Sequence, residues 1–146
     1  MSVLTDLSPC LTIEAAQLLS PLQLAYVGDS VHALLVRTGL AQKNWLVKDM
    51  HRAANEAVSA VSQARELQRL LPMLAEDEAL IVKRGRNAHP HHSAPRSASV
   101  GEYAGATGLE ALLGYLFLTG QAERLLALLP YLQPEDEASC PKQACR

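Results

Sequence analysis

Apolar residues recur along this chain at the three- and four-residue steps of a helix, and Val-rich alternating runs of the strand type are absent. Leu46, Met50, Ala53, Ala57, Val61, Ala64, Leu67 and Leu71 form one such stripe, which predicts a single helix over 46–71, ended by Pro72. Two other segments are apolar almost all round, the pattern of central, buried helices. The first opens on Ser20-Pro21-Leu22-Gln23, a capping serine, a proline suited to the first helical position and a glutamine that completes a capping box. It is predicted to run to about residue 38 and stop at Gly39. The second covers about Val100–Leu118 and ends at Gly120. Shorter helices are predicted around 12–19, from Glu76 to a break at Gly85, and over 121–132, with a Pro-, Ser- and His-rich loop over about 87–99. The reading is one all-α domain over 1–132, a helical bundle, followed by a frayed tail over 133–146.

Composition narrows this picture. With 146 residues, 49% hydrophobic and 19% charged, the chain is neither disordered nor low in complexity, and it is long enough for one real core. Aromatics at 4% argue against a sandwich or barrel. No apolar run approaches a membrane span, and the first ten residues carry Asp6 and no basic start, so neither a membrane partner nor a secretory signal is expected. Cys10, Cys140 and Cys145 are odd in number and show no CxxC spacing, which indicates neither a disulfide framework nor a zinc knuckle and fits a reducing cytoplasm. The net charge of −2 excludes a generic, strongly basic nucleic-acid binder. Its distribution is uneven, however: residues 37–96 carry +4 and the remainder −6.

Two carboxylates interrupt the two most apolar segments. Asp29 sits within AYVGDSVHALL and Glu110 within TGLEALLGYLF, both positions read as buried. An unpaired buried carboxylate costs several kcal/mol, so each needs a partner: a base such as Arg37, a capping role, a set of hydrogen bonds or a metal ion. Gly28 precedes Asp29 and Gly114 follows Glu110 by one turn. Glycine inside a helix costs about 1 kcal/mol relative to alanine, a cost that close approach of another backbone would explain. If the two helices cross at these glycines, Asp29 and Glu110 converge. Two oxygen ligands with room left for water suit Mg²⁺ better than Zn²⁺.

Residues 24–31, LAYVGDSV, resemble the ribonuclease III signature, in which a Gly-Asp pair sits in a helix, and residues 107–114, TGLEALLG, resemble that family's second catalytic segment. Val58-Ser59-Ala60 with Gln63-Ala64, Lys83-Arg84-Gly85-Arg86-Asn87-Ala88, and EALLGYLFL over 110–118 are similar to the small Mini-III subfamily, in the same order over about residues 20–130. The resemblance implies a ribonuclease III endonuclease domain-like bundle acting as a homodimer, with no separate RNA-binding domain, for which the residues after Leu132 are too few. It implies Mg²⁺-dependent hydrolysis of double-stranded RNA to 5′-phosphate and 3′-hydroxyl ends, with Asp29 and Glu110 as catalytic and metal-binding residues. The subfamily's role is to trim precursor large-subunit (23S) ribosomal RNA, and a ribosomal protein could present that substrate. The full ribonuclease III pattern has four acids per site. Ala25 and Thr107 stand where the other two would be, a thinning that Mini-III sequences share and that puts a full two-metal scheme in doubt.

Between Ala79 and Gly101 lie four bases and no acid. Lys83, Arg84, Arg86 and Asn87 there either contact RNA phosphates or cap a helix C-terminus, and the resemblance favours RNA. It also implies that Lys48, His51 and Arg52 flank the same groove. Ser59 and Gln63 match family positions, though interior packing or capping reads equally well. His32 either orients Asp29 or packs at the edge of the core, and Tyr103 is a packing or hydrogen-bonding residue. His89, His91 and His92 fit no zinc spacing and read as loop residues available to phosphate when protonated. The rival readings are a non-catalytic ribonuclease-III-like module that binds RNA or protein, which would be expected to lack Asp29 or Glu110, and an all-α dimerisation domain indifferent to Mg²⁺.

Overall fold

One helix organises the rest of the molecule. The computed structural model describes residues 11–88 and 98–132. Within them the chain forms α1 (Ile13–Leu18), α2 (Pro21–Ala41), α3 (Val47–Ala57), α4 (Ala60–Leu70), α5 (Glu76–Arg86), α6 (Val100–Leu118) and α7 (Ala122–Leu128), with 3₁₀ turns at Leu71–Met73 and Leu129–Tyr131 and no strand among the described residues. The predicted loop histidines His89, His91 and His92, the three cysteines and the tail lie outside the described residues. Helix α6 runs through the middle, packed chiefly against α2, α5 and α4. Its Leu109, Leu112, Leu113, Tyr115 and Leu116 are fully buried.

Glycines set how closely these helices approach. A Cβ on Gly28 of α2 would overlap the Glu110 carbonyl of α6, and a Cβ on Gly114 of α6 would overlap the Leu24 carbonyl of α2. The two helices therefore cross backbone to backbone at the predicted pair of glycines. Gly85 of α5 meets Gly108 of α6 in the same way, with 2.8 Å between the Gly108 Cα and the position of a Gly85 Cβ. Gly85 thus continues its helix instead of breaking it, and α5 runs on to Arg86.

Local chemistry explains most boundaries. The Ser20 hydroxyl accepts from the Gln23 amide at 3.1 Å, and the Gln23 side chain accepts from the Ser20 amide at 2.9 Å, the predicted capping box. Gly120 ends α6 with φ 70°, a conformation that glycine adopts without strain. Three further expectations fail. Helix α2 passes through Gly39 to Ala41. The predicted helix over 46–71 is two helices, because Ser59 turns out of helical geometry and caps α4 by accepting from the Ser62 amide at 3.2 Å. The apolar stripe persists across the break, so periodicity alone did not reveal it. The last helix is α7 plus a 3₁₀ turn, consistent with Pro130 lacking the amide hydrogen that a continuing helix would use.

Two arginines tie the periphery down. Arg124 of α7 forks onto buried Glu78 of α5, with Nε and one Nη each 2.9 Å from a carboxylate oxygen, and that Nη also donates to the Met73 carbonyl at 2.8 Å. Arg84 donates to the carbonyls of Gln17 and Leu19 at 3.0 and 3.1 Å, which satisfies groups at the end of α1. Among the described residues no helix is long and apolar enough to cross a membrane.

Candidate active site

The α2–α6 crossing decides where the acids go. Gly28 faces the Glu110 backbone, so the next residue, Asp29, leaves the crossing at its rim beside the Glu110 side chain. The pair converges as the glycines implied, but the predicted burial is corrected. Asp29 is exposed, on the outer stripe of α2 with Tyr26 and Ser30, while Glu110 is half-buried. The error lay in reading α2 as apolar all round and therefore buried all round. Leu22, Tyr26 and Leu34 are apolar yet exposed, and Tyr26 is 84% accessible.

Burial, and then the negative charge of Asp29, push the Glu110 carboxyl up from 4.5 to about 7. A hydrogen bond from Gln63 pulls the other way by favouring the ionised form. Two carboxyl groups that share one place form a hard, oxygen-donor pair. No group of three or more His, Cys, Asp or Glu residues suited to a metal converges among the described residues. Among the described residues, Asp29 and Glu110 are thus the acids brought together at this crossing. Thr107, in the place of a third acid, is buried and turns its hydroxyl back to the Tyr103 carbonyl at 3.0 Å. Tyr103 thus enters that contact through its main chain. Ala25, in the place of the fourth, is buried against the core.

Behind the pair lies a buried polar chain. His32 Nε2 stands 2.7 Å from Glu66 Oε2, and Gln63 Nε2 stands 3.2 Å from His32 Nδ1. His32 is fully buried, with both ring nitrogens turned to this network. Burial pushes the Glu66 carboxyl above its ordinary value, against the opposing hydrogen bond of His32. The sequence reading did not single out Glu66. A signal was present: Gln63, Glu66, Leu67 and Leu70 are the buried face of α4 at helical spacing, with two polar residues where apolar ones are expected.

The basic residues are more dispersed. Lys48, His51 and Arg52 are exposed on the first turns of α3. His51 lines a small pocket with Arg37 and Met50, and Arg52 lies 4.0 Å from Asp49. On α5, Lys83, Arg86 and Asn87 are exposed at the C-terminal end, whereas the guanidinium of Arg84 is held by main-chain carbonyls. Arg86 shares a groove with Arg65, Ser99 and Glu102, while Lys83 borders a different one with Asp77 and Gln17. Arg65 is thus a second base at the Arg86 groove that charge counting along the chain did not distinguish.

Fold and acid pair together define a small all-α domain with two apposed carboxyls where its two central helices cross. Residues 22–121 match the ribonuclease III domain family. The chain is 50% identical to the Mini-ribonuclease 3 of Symbiobacterium thermophilum, over 76% of this chain and 85% of that protein. It is 45% identical to the Mini-ribonuclease 3 of Thermoanaerobacter sp., over 82% and 84%. The crystal structure of a Fusobacterium nucleatum protein superposes with a TM-score of 0.69 at 29% identity, over 76% of this chain and 88% of that one. The chain belongs to the ribonuclease III family, close to its Mini-ribonuclease 3 members, and is an endoribonuclease acting on double-stranded RNA.

Proposed function

We propose that Asp29 and Glu110 hold Mg²⁺ and that the chain, as a homodimer, cuts double-stranded regions of precursor large-subunit ribosomal RNA in the cytoplasm. The observation that carries the reading is the apposition of these two carboxyls at the α2–α6 crossing, with Glu110 pushed up to about 7. A carboxyl raised that far holds a proton near neutral pH that a cation can displace. A bound Mg²⁺ supplies orientation of the phosphate, activation of a water and stabilisation of the leaving 3′-oxygen, giving 5′-phosphate and 3′-hydroxyl ends. The chain's own residues do the rest. Exposed Asp29 presents oxygens to the solvent side, where a duplex can reach them, and half-buried Glu110 presents oxygens from a fixed helix.

Lys48, His51, Arg52, Lys83, Arg86 and Asn87 are offered to phosphate oxygens from α3 and the end of α5. Arg65 adds a base beside Arg86. Arg84 belongs to the same set, with part of its guanidinium also tied to the Gln17 and Leu19 carbonyls. These contacts read backbone and not sequence, since the RNA major groove is too deep and narrow for side chains. A net charge of −2 keeps binding salt-sensitive, which suits a substrate already assembled with a ribosomal protein. The homodimer is supported by Leu18, 88% exposed at the end of α1, and by Leu22, Tyr26 and Leu34, apolar and exposed on α2, the helix that carries Asp29. A two-fold mate covering part of this surface would set a second acid pair opposite the other strand of a duplex.

The test is incubation of the purified chain with a long RNA duplex in Mg²⁺ and in chelator. Double-strand cuts that appear only with the cation are expected. Equal cutting in chelator would remove Mg²⁺ from the account.

A further inference from the structure

The buried set behind the acid pair is unusual for a core that needs only stability. His32 is fully buried, and Gln63 and Glu66 are 1% and 3% exposed. Apolar side chains of similar size would serve stability at least as well, because buried polar sets gain little over well-packed hydrophobic ones. What this set can do, and apolar residues cannot, is point a hydrogen-bond donor at Glu110.

The contacts fit one consistent set of directions when Nε2 carries the single ring hydrogen of His32. An ionised carboxylate only accepts, so His32 Nε2 carries the hydrogen that meets Glu66 at 2.7 Å. In the neutral imidazole that leaves Nδ1 as an acceptor, and it faces Gln63 Nε2 at 3.2 Å. A terminal amide is otherwise free to flip and show its oxygen to a neighbour. Here the His32 lone pair holds the nitrogen of Gln63 inward, which leaves its second hydrogen available to the Glu110 carboxylate, whose ionised form Gln63 favours. Flipped, the amide oxygen would face that carboxylate, acceptor against acceptor.

We propose that Gln63 is a positioning residue for the metal site: one N–H of its amide holds the Glu110 carboxylate in its cation-binding orientation, and the His32–Glu66 pair fixes the direction of that amide. The inference rests on Asp29 and Glu110 being metal ligands. Groups that orient ligands in this way typically change metal affinity about 10- to 100-fold when removed.

The experiment measures binding of Mn²⁺ to the metal-free full chain by calorimetry at one fixed pH. Gln63→Leu removes the donor at similar size. His32→Leu combined with Glu66→Leu leaves Gln63 in place but unlocks it, with an apolar core behind. Each is expected to weaken Mn²⁺ binding about tenfold or more, with the melting temperature of the double variant held or raised. Glu66→Gln keeps an acceptor for His32 and is expected to bind like wild type. Cleavage should show a lower kcat at limiting Mg²⁺, restored by excess, with an unchanged KM for duplex RNA. If Gln63→Leu does not fold, the double variant decides alone. Wild-type Mn²⁺ affinity in the folded variants would overturn the proposal while leaving the metal site intact. Undiminished Mn²⁺ binding by Glu110→Gln would instead remove the metal site itself, and this inference with it.

Discussion

Without a cation, the acid pair should cost the folded state stability at neutral and alkaline pH. The perturbation that exposes this is Glu110→Gln, which keeps shape and hydrogen bonding but removes the charge. Glu110 shifts from 4.5 to about 7 in the folded chain. Between those values the folded state binds more protons than the unfolded state, so stability falls as pH rises through the window and is fully lost above about 7. At ~1.4 kcal/mol per unit the shift is worth about 3 kcal/mol. Solvent around exposed Asp29 trims this to about 2 kcal/mol. Urea unfolding in chelator at pH 5 and pH 8.5 reads the difference. Wild type should lose about 2 kcal/mol more than the variant across that interval, and Mg²⁺ at pH 8.5 should restore it. Parallel behaviour of the two proteins would refute the claim that burial, with the charge of Asp29, raises the Glu110 carboxyl in the fold.

The helix crossing and its tethers make further predictions. Gly28→Ala places a Cβ on the Glu110 carbonyl and should destabilise by about 3 kcal/mol or more in chemical denaturation. Gly101→Ala, where a Cβ meets only the Ser99 hydroxyl oxygen at 4.0 Å, should instead stabilise by about 0.5–1 kcal/mol. Arg124→Ala leaves buried Glu78 without its fork and should cost about 3 kcal/mol, which a thermal melt would register as a fall of about 10 °C. Arg124→Lys should recover only part of that loss, since an ammonium cannot make the two-pronged contact.

Much of this architecture was legible in the sequence because its signals are local. Ser20, Pro21 and Gln23 announce a helix start whose bonds form within four residues. Gly28 and Gly114 announce a crossing because glycine in a helix asks for a neighbour, and one is there. The misreadings arise where the same local pattern serves two environments. Leu22, Tyr26 and Leu34 look like core residues, and apolarity does not distinguish a face covered by this chain from one left open. Gly85 looks like a helix stop, yet it lies within α5 against Gly108. The tie that Arg84 makes to carbonyls more than 60 residues earlier is a long-range contact that local pattern does not show. Glu66 was passed over because it was counted as charge and not placed on the inward stripe of α4.

The central claim is that Asp29 and Glu110 carry the chemistry. Single-turnover cleavage of a long RNA duplex in saturating Mg²⁺ by wild type, Asp29→Asn and Glu110→Gln tests it directly, with folding and oligomeric state matched. Loss of a ligand that contributes several kcal/mol to the transition state predicts a rate reduction of about a hundredfold or more for each variant. Cleavage at the wild-type rate by either folded variant would contradict its assigned role.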